Sequence, residues 1–116
     1  MEFKFINTEY LETVSGGDRS IARELVEIFR AQVVEFAGEM KNLLAAGDYY
    51  SLGLLAHKAK SSIAIMGMND LASMLKTFEL DAKESRGTEK YESYISRFEQ
   101  ETSVAVTELD YYLNNE

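Results

Sequence analysis

Residues 49–67 read YYSLGLLAHKAKSSIAIMG and contain His57, the only histidine in the chain. At about 100° per residue, the apolar side chains of this segment recur on one stripe, which predicts an amphipathic helix. The stripe consists of Leu52, Leu55, Ala59, Ile63 and Met66. His57 lies nearly opposite this stripe on the helical projection, so we expect its imidazole to face water.

The face of the helix around His57 carries small side chains and a lysine. Gly53 precedes the histidine by one turn, and Lys60 and Ser61 follow it by one turn. Because a glycine in an exposed helix interior costs about 1 kcal/mol relative to alanine, we expect Gly53 to leave room for another protein to approach the ring. No acid occurs in residues 49–69, although the chain has 20 acids. This pattern predicts an exposed histidine in a locally cationic patch.

The composition limits the classes to which this protein can belong. With 116 residues, 46% of them hydrophobic, we expect one globular domain spanning residues 1–116. The absence of cysteine excludes disulfides, thiol catalysis and cysteine-ligated metals. A net charge of −8 argues against nucleic-acid binding, and no apolar run reaches the roughly 18 residues of a membrane span. We therefore expect a cytoplasmic protein that binds neither nucleic acid nor a membrane.

The chain is predicted to begin with an extended arm and a short helix. Residues 1–6 alternate apolar and polar side chains but are too short for a sheet, so we expect them to pack on the fold as an arm. The apolar side chains of the arm are Phe3, Phe5 and Ile6. Asn7 or Thr8 is the predicted cap of a helix to about Ser15, which is stopped by the glycine pair 16–17.

A long second helix is predicted before the histidine helix. Asp18 is its expected cap, the helix runs to about Ala46, and Gly47 ends it. The predicted inward stripe consists of Ile21, Leu25, Ile28, Gln32, Phe36, Met40 and Leu43. Asp48 is then the expected cap of the histidine helix.

Two further helices are predicted after the histidine helix. Gly67 is expected to close that helix, and Asn69 to cap the next one, which runs to about Arg86. The inward residues of this next helix are Leu71, Leu75, Phe78 and Ala82. After a turn at Gly87 and Thr88, the last helix repeats apolar or small residues in the steps of a bundle seam. The seam consists of Tyr91, Ile95, Phe98, Thr102, Ala105, Leu109 and Tyr112.

The order of these segments predicts the fold class. Four long amphipathic helices joined by short loops favour an all-α fold, namely an up-down-up-down antiparallel four-helix bundle. The short N-terminal helix and the arm are expected to cap one end of this bundle. No internal repeat and no low-complexity linker indicates a second domain.

A single exposed histidine does not fit the commonest site chemistries. A di-iron bundle needs Glu-x-x-His on two helices, whereas Leu54 stands three residues before His57. One histidine without cysteines cannot supply a zinc site, so no metal site is predicted. A Ser-His-Asp hydrolase needs an acid that orients the imidazole, and the neighbouring sequence offers none. The chain also lacks a Gly-rich phosphate loop, so no recognised ATP site is expected.

Residues 57–71, HKAKSSIAIMGMNDL, resemble the motif of the histidine-containing phosphotransfer (HPt) family of two-component phosphorelays. The family motif runs roughly His-x-Leu-Lys-Gly-Ser-Ser-x-x-Leu-Gly-Ala-x-x-Leu. The positions that match it are His57, Lys60, Ser62, Gly67 and Leu71, with Met66 as a conservative replacement. Ala59 departs from the usual leucine, and Ser61 departs from the usual glycine and places a hydroxyl beside the ring. The flanking helix pattern extends the resemblance over nearly the whole chain.

The resemblance implies a phosphocarrier without kinase activity of its own. Phosphoryl groups would move reversibly between His57 and the aspartate of response-regulator receiver domains, because neutral imidazole is a competent nucleophile near neutral pH. Lys60 would offset charge on the phosphoryl oxygens. The receiver would supply Mg²⁺, so no cofactor is expected on this chain. A hybrid sensor histidine kinase is a further implied partner, and we expect the protein to be a monomer.

The resemblance also implies supporting groups and a docking surface. Glu79, which follows Phe78 at the family's Leu-Glu position, would orient the ring through its second nitrogen, and Lys83 would reach toward the imidazole or the phosphate. Plain solvation of both charges is the alternative. The expected docking residues are Gly53, Leu54, Ser61, Ala64 and Ile65, with Ala31, Val34 and Gly38 of the second helix.

Two other functions stay open at this point. The first is a helical adaptor that docks receiver or kinase domains without accepting phosphate, although such an adaptor would have no use for His57 and Lys60. The second is a small helical hydrolase, which would need an acid partner to His57 that the local sequence does not show.

Overall fold

The computed structural model describes residues 3–114, which form five α-helices and one short 3-10 turn. The helices are α1 (Glu9–Ser15), α2 (Arg19–Ala46), α3 (Tyr49–Ile65), α4 (Asn69–Lys83) and α5 (Tyr91–Asn114), and the 3-10 turn is Thr88–Lys90. The described part of the chain contains no strand, which confirms the all-α prediction. None of its helices has an apolar stretch long enough to cross a bilayer.

The predicted caps fix the beginnings of the two helices that precede and carry the histidine. The Asp18 carboxylate accepts a hydrogen bond from the backbone N–H of Ser20 at 2.8 Å, and the Asp48 carboxylate accepts one from Ser51 at 3.2 Å. Each bond satisfies a backbone donor that has no partner inside its helix. Gly47 adopts a left-handed φ of 70° between them and ends α2 as predicted.

The four long helices form a ring of neighbours around one apolar core. α2 contacts α3 and α5, and α4 contacts the same two helices. Arg30 pairs with Asp110, and Lys41 Nζ lies 2.7 Å from Glu99, so residue numbers fall along α5 as they rise along α2. The largest fully buried side chains come from several helices and are Phe29, Phe78, Tyr91 and Phe98. The up-down-up-down order of the complete bundle stays a prediction.

The core-facing stripe of α2 differs from the predicted one. The buried residues are Ala22, Val26, Phe29, Val33, Phe36, Ala37 and Met40, whereas Ile21 and Ile28 are exposed. In the first half of α2 the predicted stripe follows the larger aliphatic side chains. It is wrong there by one position in the sequence, which corresponds to a rotation of about 100° around the helix axis. Since α2 packs between α3 and α5, its core face points between those helices, and Gln32 lies on the flank toward α3.

The bounds of α4 also differ from the prediction. Asn69 is the first helical residue and Met68 precedes it without a side-chain cap, so the predicted Asn69 cap is wrong. The helix ends at Lys83 rather than near Arg86. The buried Tyr91 hydroxyl lies 2.6 Å from the Arg86 carbonyl oxygen, and this contact ties the loop back to α5. The α5 seam is confirmed except at its end, where Leu113 is buried instead of Tyr112.

The N-terminal arm packs on the bundle as predicted, and a buried glutamate holds it there. The Glu108 carboxylate, on α5, accepts hydrogen bonds from the backbone N–H groups of Lys4, Phe5 and Ile6. Ile6 is buried, and Phe3 and Phe5 pack partly against the core. Met1 and Glu2 of the predicted arm lie outside the described residues.

The arm continues into the turn between α3 and α4. The Asn7 backbone N–H donates to the Met66 carbonyl oxygen at 3.1 Å. Gly67 follows with a left-handed φ of 72°, and a Cβ built there would lie 2.4 Å from the Asn7 carbonyl oxygen. The Asn7 side chain accepts from the N–H of Glu9 at 3.0 Å and so serves the start of α1. This turn therefore has room only for glycine.

We expect Glu108→Ala to lower the free energy of unfolding by about 2–3 kcal/mol, because three partly or fully buried N–H groups lose a charged acceptor. Chemical denaturation measures this loss, and amide hydrogen exchange at Phe5 and Ile6 should accelerate in the variant. Glu39→Ala, which removes an exposed glutamate from α2, is the matched control. Equal stability of the two variants would contradict the role of Glu108 as the anchor of the arm.

Candidate functional site

His57 stands on the outer face of α3, as the helical phase predicts. Its side chain is 59% exposed, while the apolar stripe behind it, from Leu52 to Met66, is buried. The Asp48 cap and the packing of this stripe fix the rotation of α3 about its axis. The imidazole is therefore accessible from outside, although the helix that carries it is held firmly in the bundle.

Glu79 on α4 contacts the imidazole from the protein side. Its Oε1 atom lies 3.0 Å from His57 Nδ1, and its Oε2 atom lies 2.9 Å from Lys83 Nζ. The side chain of Glu79 is only 5% exposed, so nearly all of its carboxylate contacts are with protein. The structure thus brings together the three residues that the family resemblance implies for the site, with Lys83 bonded to Glu79 rather than to the imidazole.

The electrostatics of Glu79 decide which imidazole nitrogen carries the proton. The Lys83 ammonium holds the pKa of Glu79 well below its usual range, at about 2; burial opposes this effect, and His57 adds to it. Near neutral pH the carboxylate is therefore ionised and can only accept hydrogen bonds. His57 Nδ1 must then be the donor in this contact. In the neutral ring this leaves the lone pair on Nε2.

The lysines beside His57 are available for a negatively charged group. Lys60 lies one turn after His57 and is half-buried, and Lys58, which directly follows His57, is exposed. Within residues 3–114, neither lysine lies within ion-pairing distance of an acid. Ser61 is exposed one turn from the histidine, as expected. The patch is therefore cationic on an acidic protein, as the sequence predicts.

Gly53 is buried, so the prediction that it stands exposed and makes room for a partner protein is wrong. A Cβ built on Gly53 would lie 2.9 Å from the Glu79 carbonyl oxygen and 2.9 Å from Lys83 Cγ. The space left by the missing side chain is filled by α4. The helical phase of Gly53 alone could not reveal this, because a residue on the flank of one helix is exposed or buried according to where the neighbouring helix lies.

The predicted docking residues divide between two surfaces. Leu54 and Ala64 are exposed and Ile65 is half-buried on α3, beside the histidine. On α2, Ala31, Val34 and Gly38 are exposed. Val34 and Gly38 line a groove of about 560 Å³ between α2 and α5, together with Val106. That groove lies on the flank of α2 away from α3, so including these two residues in one surface with His57 was wrong.

The flank of α2 toward α3 carries two exposed isoleucines, Ile21 and Ile28, that the apolar periodicity predicts to lie in the core. The Ser62 hydroxyl on α3 donates to Gln32 Oε1 at 2.8 Å, which marks this flank. Ile28 lies one turn before Gln32, and Ile21 lies three turns before it. Both isoleucines are therefore on the same side of α2 as Gln32. Ile28 is 54% exposed. The signal that could have revealed them is the polar Gln32 within the predicted apolar stripe.

The contacts of His57 also bear on the hydrolase alternative. The orienting acid that the local sequence lacks is present, because α4 supplies Glu79. A hydrolase would also need a nucleophile, and among residues 3–114 no serine hydroxyl bonds to His57, while that of Ser62 is bonded to Gln32. The same part of the chain holds no cluster of three or more histidine or acidic side chains that could hold a metal ion.

The chain was compared with protein-family models, curated proteins and solved structures. A family model described as Hpt domain matches residues 24–109, which is most of the chain and includes α3, α4 and the Glu79 contact. No curated protein and no solved structure matches the chain.

The depressed pKa of Glu79 predicts a specific pH dependence of stability. The pKa of Glu79 is about 2 in the folded protein, against an ordinary value of 4.5. The contacts of the ionised carboxylate therefore stabilise the fold at any pH above 4.5, and this stabilisation is lost as the pH falls through the folded-state pKa. Relative to Glu79→Gln, the wild type should lose about 3 kcal/mol of unfolding free energy between about pH 5 and pH 2.

Urea denaturation of both proteins across this pH range measures the difference. Glu39→Gln changes an exposed glutamate of α2 and is the control. The difference in unfolding free energy between this variant and the wild type should not change comparably as the pH falls. A constant difference between the wild type and Glu79→Gln at every pH would contradict the assignment of an ionised Glu79 held by Lys83 and His57.

Proposed function

Because the chain belongs to the Hpt domain family, whose general role is histidine phosphotransfer in phosphorelays, we propose that it is a phosphocarrier that accepts the phosphoryl group on His57. The proposed donor and acceptor are aspartates of response-regulator receiver domains, with a hybrid sensor histidine kinase as a further partner. We place it in the cytoplasm as a monomeric, up-down-up-down four-helix bundle. The observation that carries the proposal is the hydrogen bond from the exposed His57 to the buried Glu79.

The geometry supports attack by Nε2. In the proposed step the Nε2 lone pair forms a bond to the phosphorus of an aspartyl phosphate, and the bond from phosphorus to the aspartate oxygen breaks. The aspartate leaves as a carboxylate, and the ring takes up positive charge. Nδ1 keeps its proton throughout, so no base has to remove one. The reverse step returns the phosphoryl group to a receiver.

Glu79 and Lys60 would act on the two charges that change in this step. The Glu79 carboxylate faces the imidazole and stabilises the positive charge that the ring gains. Lys60, one turn from His57, would offset the negative charge on the phosphoryl oxygens. In an interface that contains water, this attraction would contribute about 1 kcal/mol. Mg²⁺ would be supplied by the receiver domain, so this chain is proposed to hold no cofactor.

The surface around the histidine supports docking of an acidic partner. A receiver site that binds Mg²⁺ presents carboxylates, which complement the lysines and the acid-free sequence around His57. We propose that the docking surface consists of Leu54, Ser61, Ala64 and Ile65 on α3 and of Ile28 on α2. An adaptor that does not accept phosphate would use the same surface, and only chemistry at His57 separates the two functions.

We expect a phosphorylated receiver domain, or a small phosphoramidate donor, to add one acid-labile phosphoryl group to the wild-type protein and none to His57→Gln. Lys60→Ala should be labelled about fivefold more slowly, which corresponds to the loss of about 1 kcal/mol. Intact mass measured under neutral conditions follows both reactions. Lys90→Ala, at an exposed lysine after α4, is the control and should react at the wild-type rate. A folded wild-type protein that binds receivers but is never labelled would instead support the adaptor.

The docking surface is tested by one substitution on each flank of α2. Ile28 is 54% exposed and Val34 is 74% exposed, so a glutamate at either position adds the same charge without disturbing the core. Ile28→Glu should weaken binding of a receiver domain about tenfold in a titration, because it places a negative charge opposite an acidic partner. Val34→Glu should leave the affinity unchanged. Equal weakening by both variants would contradict the assignment of the surface.

A further inference from the structure

At Gly53 the backbone of α4 lies directly against the histidine helix. A Cβ at this position would lie 2.9 Å from the Glu79 carbonyl oxygen and 3.1 Å from the Lys83 backbone nitrogen. Both atoms belong to the backbone of α4 and cannot rotate away as the end of a side chain could. Any side chain at position 53 therefore requires α4 to move outward.

The same residue of α4 contacts α3 at two successive turns. The carbonyl oxygen of Glu79 lies over Gly53, and the carboxylate of Glu79 reaches His57, which follows Gly53 by one turn on the same side. Because both contacts belong to Glu79, the separation of the helices at Gly53 sets how far the carboxylate reaches toward Nδ1.

The second partner of Glu79 also crosses at this position. Lys83 Cγ would lie 2.9 Å from a Cβ at Gly53, and the end of the same side chain bonds Glu79 Oε2 at 2.9 Å. The stem of Lys83 thus occupies the space that the glycine leaves. Both the carboxylate and the ammonium that holds it depend on the absence of a side chain at one residue.

We infer that Gly53 is a positioning residue for His57, because its missing side chain brings the Glu79 carboxylate close enough to hold the imidazole with its proton on Nδ1. Gly53 has no side chain that could reach the ring or an incoming phosphoryl group, and it acts through Glu79. The consequence for phosphotransfer rests on the proposed function, whereas the consequence for the imidazole proton does not.

The proton position can be read directly, because His57 is the only histidine in the chain. Imidazole nitrogen NMR of ¹⁵N-labelled protein, at a pH where the ring is neutral, distinguishes a proton on Nδ1 from one on Nε2. The wild type should carry it on Nδ1. Gly53→Ala should shift the ring toward the mixture of both forms that a free imidazole adopts. A glycine with only a structural role would leave this signal unchanged.

Gly38→Ala is the matched control, since Gly38 also lies within a helix but has open space where a Cβ would go. It should retain the wild-type imidazole spectrum and raise the melting temperature, whereas Gly53→Ala should lower it. The double variant Gly38→Ala/Gly53→Ala regains helical stability at a distance from the site and keeps the measurement accessible if Gly53→Ala folds poorly.

A wild-type imidazole spectrum in folded Gly53→Ala would overturn the inference. Loss of folded structure in both the single and the double variant would also overturn it, because Gly53 would then serve the fold as a whole. In the labelling assay Gly53→Ala should react about tenfold more slowly, which is less than the cost of a full 1 Å misplacement. If the protein takes up no phosphate but its imidazole proton still depends on Gly53, the inference stands and the proposed function fails.

Discussion

The buried carboxylate of Glu79 lies between an imidazole and an ammonium group, and the arrangement of α3 and α4 depends on satisfying it. An ionised carboxylate at this depth is costly unless it is paired and hydrogen-bonded. Lys83 supplies the charge from the same helix, and His57 supplies a hydrogen bond from the neighbouring one. Since the histidine is also exposed, the interaction that stabilises Glu79 fixes the protonation of the ring that is proposed to accept the phosphoryl group. The contact between His57 and Glu79 therefore both stabilises the fold and sets the position of the imidazole proton.

The rest of the fold holds α3 and α4 in the alignment that this contact requires. At one end of the helix pair the arm binds the connecting turn, where the Asn7 backbone fills the space beside Gly67. Glu108 on α5 in turn anchors the arm through three backbone N–H groups. Toward the other end, α4 lies directly on Gly53. Gly53 within α3 and Gly67 in the turn that follows it thus lie on either side of the histidine, and each allows a backbone approach that a side chain would prevent.

The features that depend on one helix alone could be predicted from the sequence. The exposure of His57 follows from its phase against a clear apolar stripe, and the capping aspartates follow from their position before such stripes.

Features that depend on a neighbouring helix could not be predicted in this way. Gly53 has the phase of a flank residue, and only the place of α4 decides that it is buried. In α2, two adjacent apolar stripes compete, and packing between α3 and α5 selects the one through Phe29 rather than the one through Ile28. The contact of His57 with Glu79 joins residues 22 positions apart, and the family resemblance rather than periodicity pointed to it.

The most direct test of the proposed attack by Nε2 is to determine which imidazole nitrogen of His57 carries phosphorus in protein treated with a phosphoryl donor. Nitrogen and phosphorus NMR of the ¹⁵N-labelled phosphoprotein resolves the two isomers without ambiguity, because the chain has no other histidine. The expected result is phosphorus on Nε2, with Nδ1 still protonated and bonded to Glu79. Phosphorus on Nδ1 would contradict the assignment, since that nitrogen could not then donate to the carboxylate.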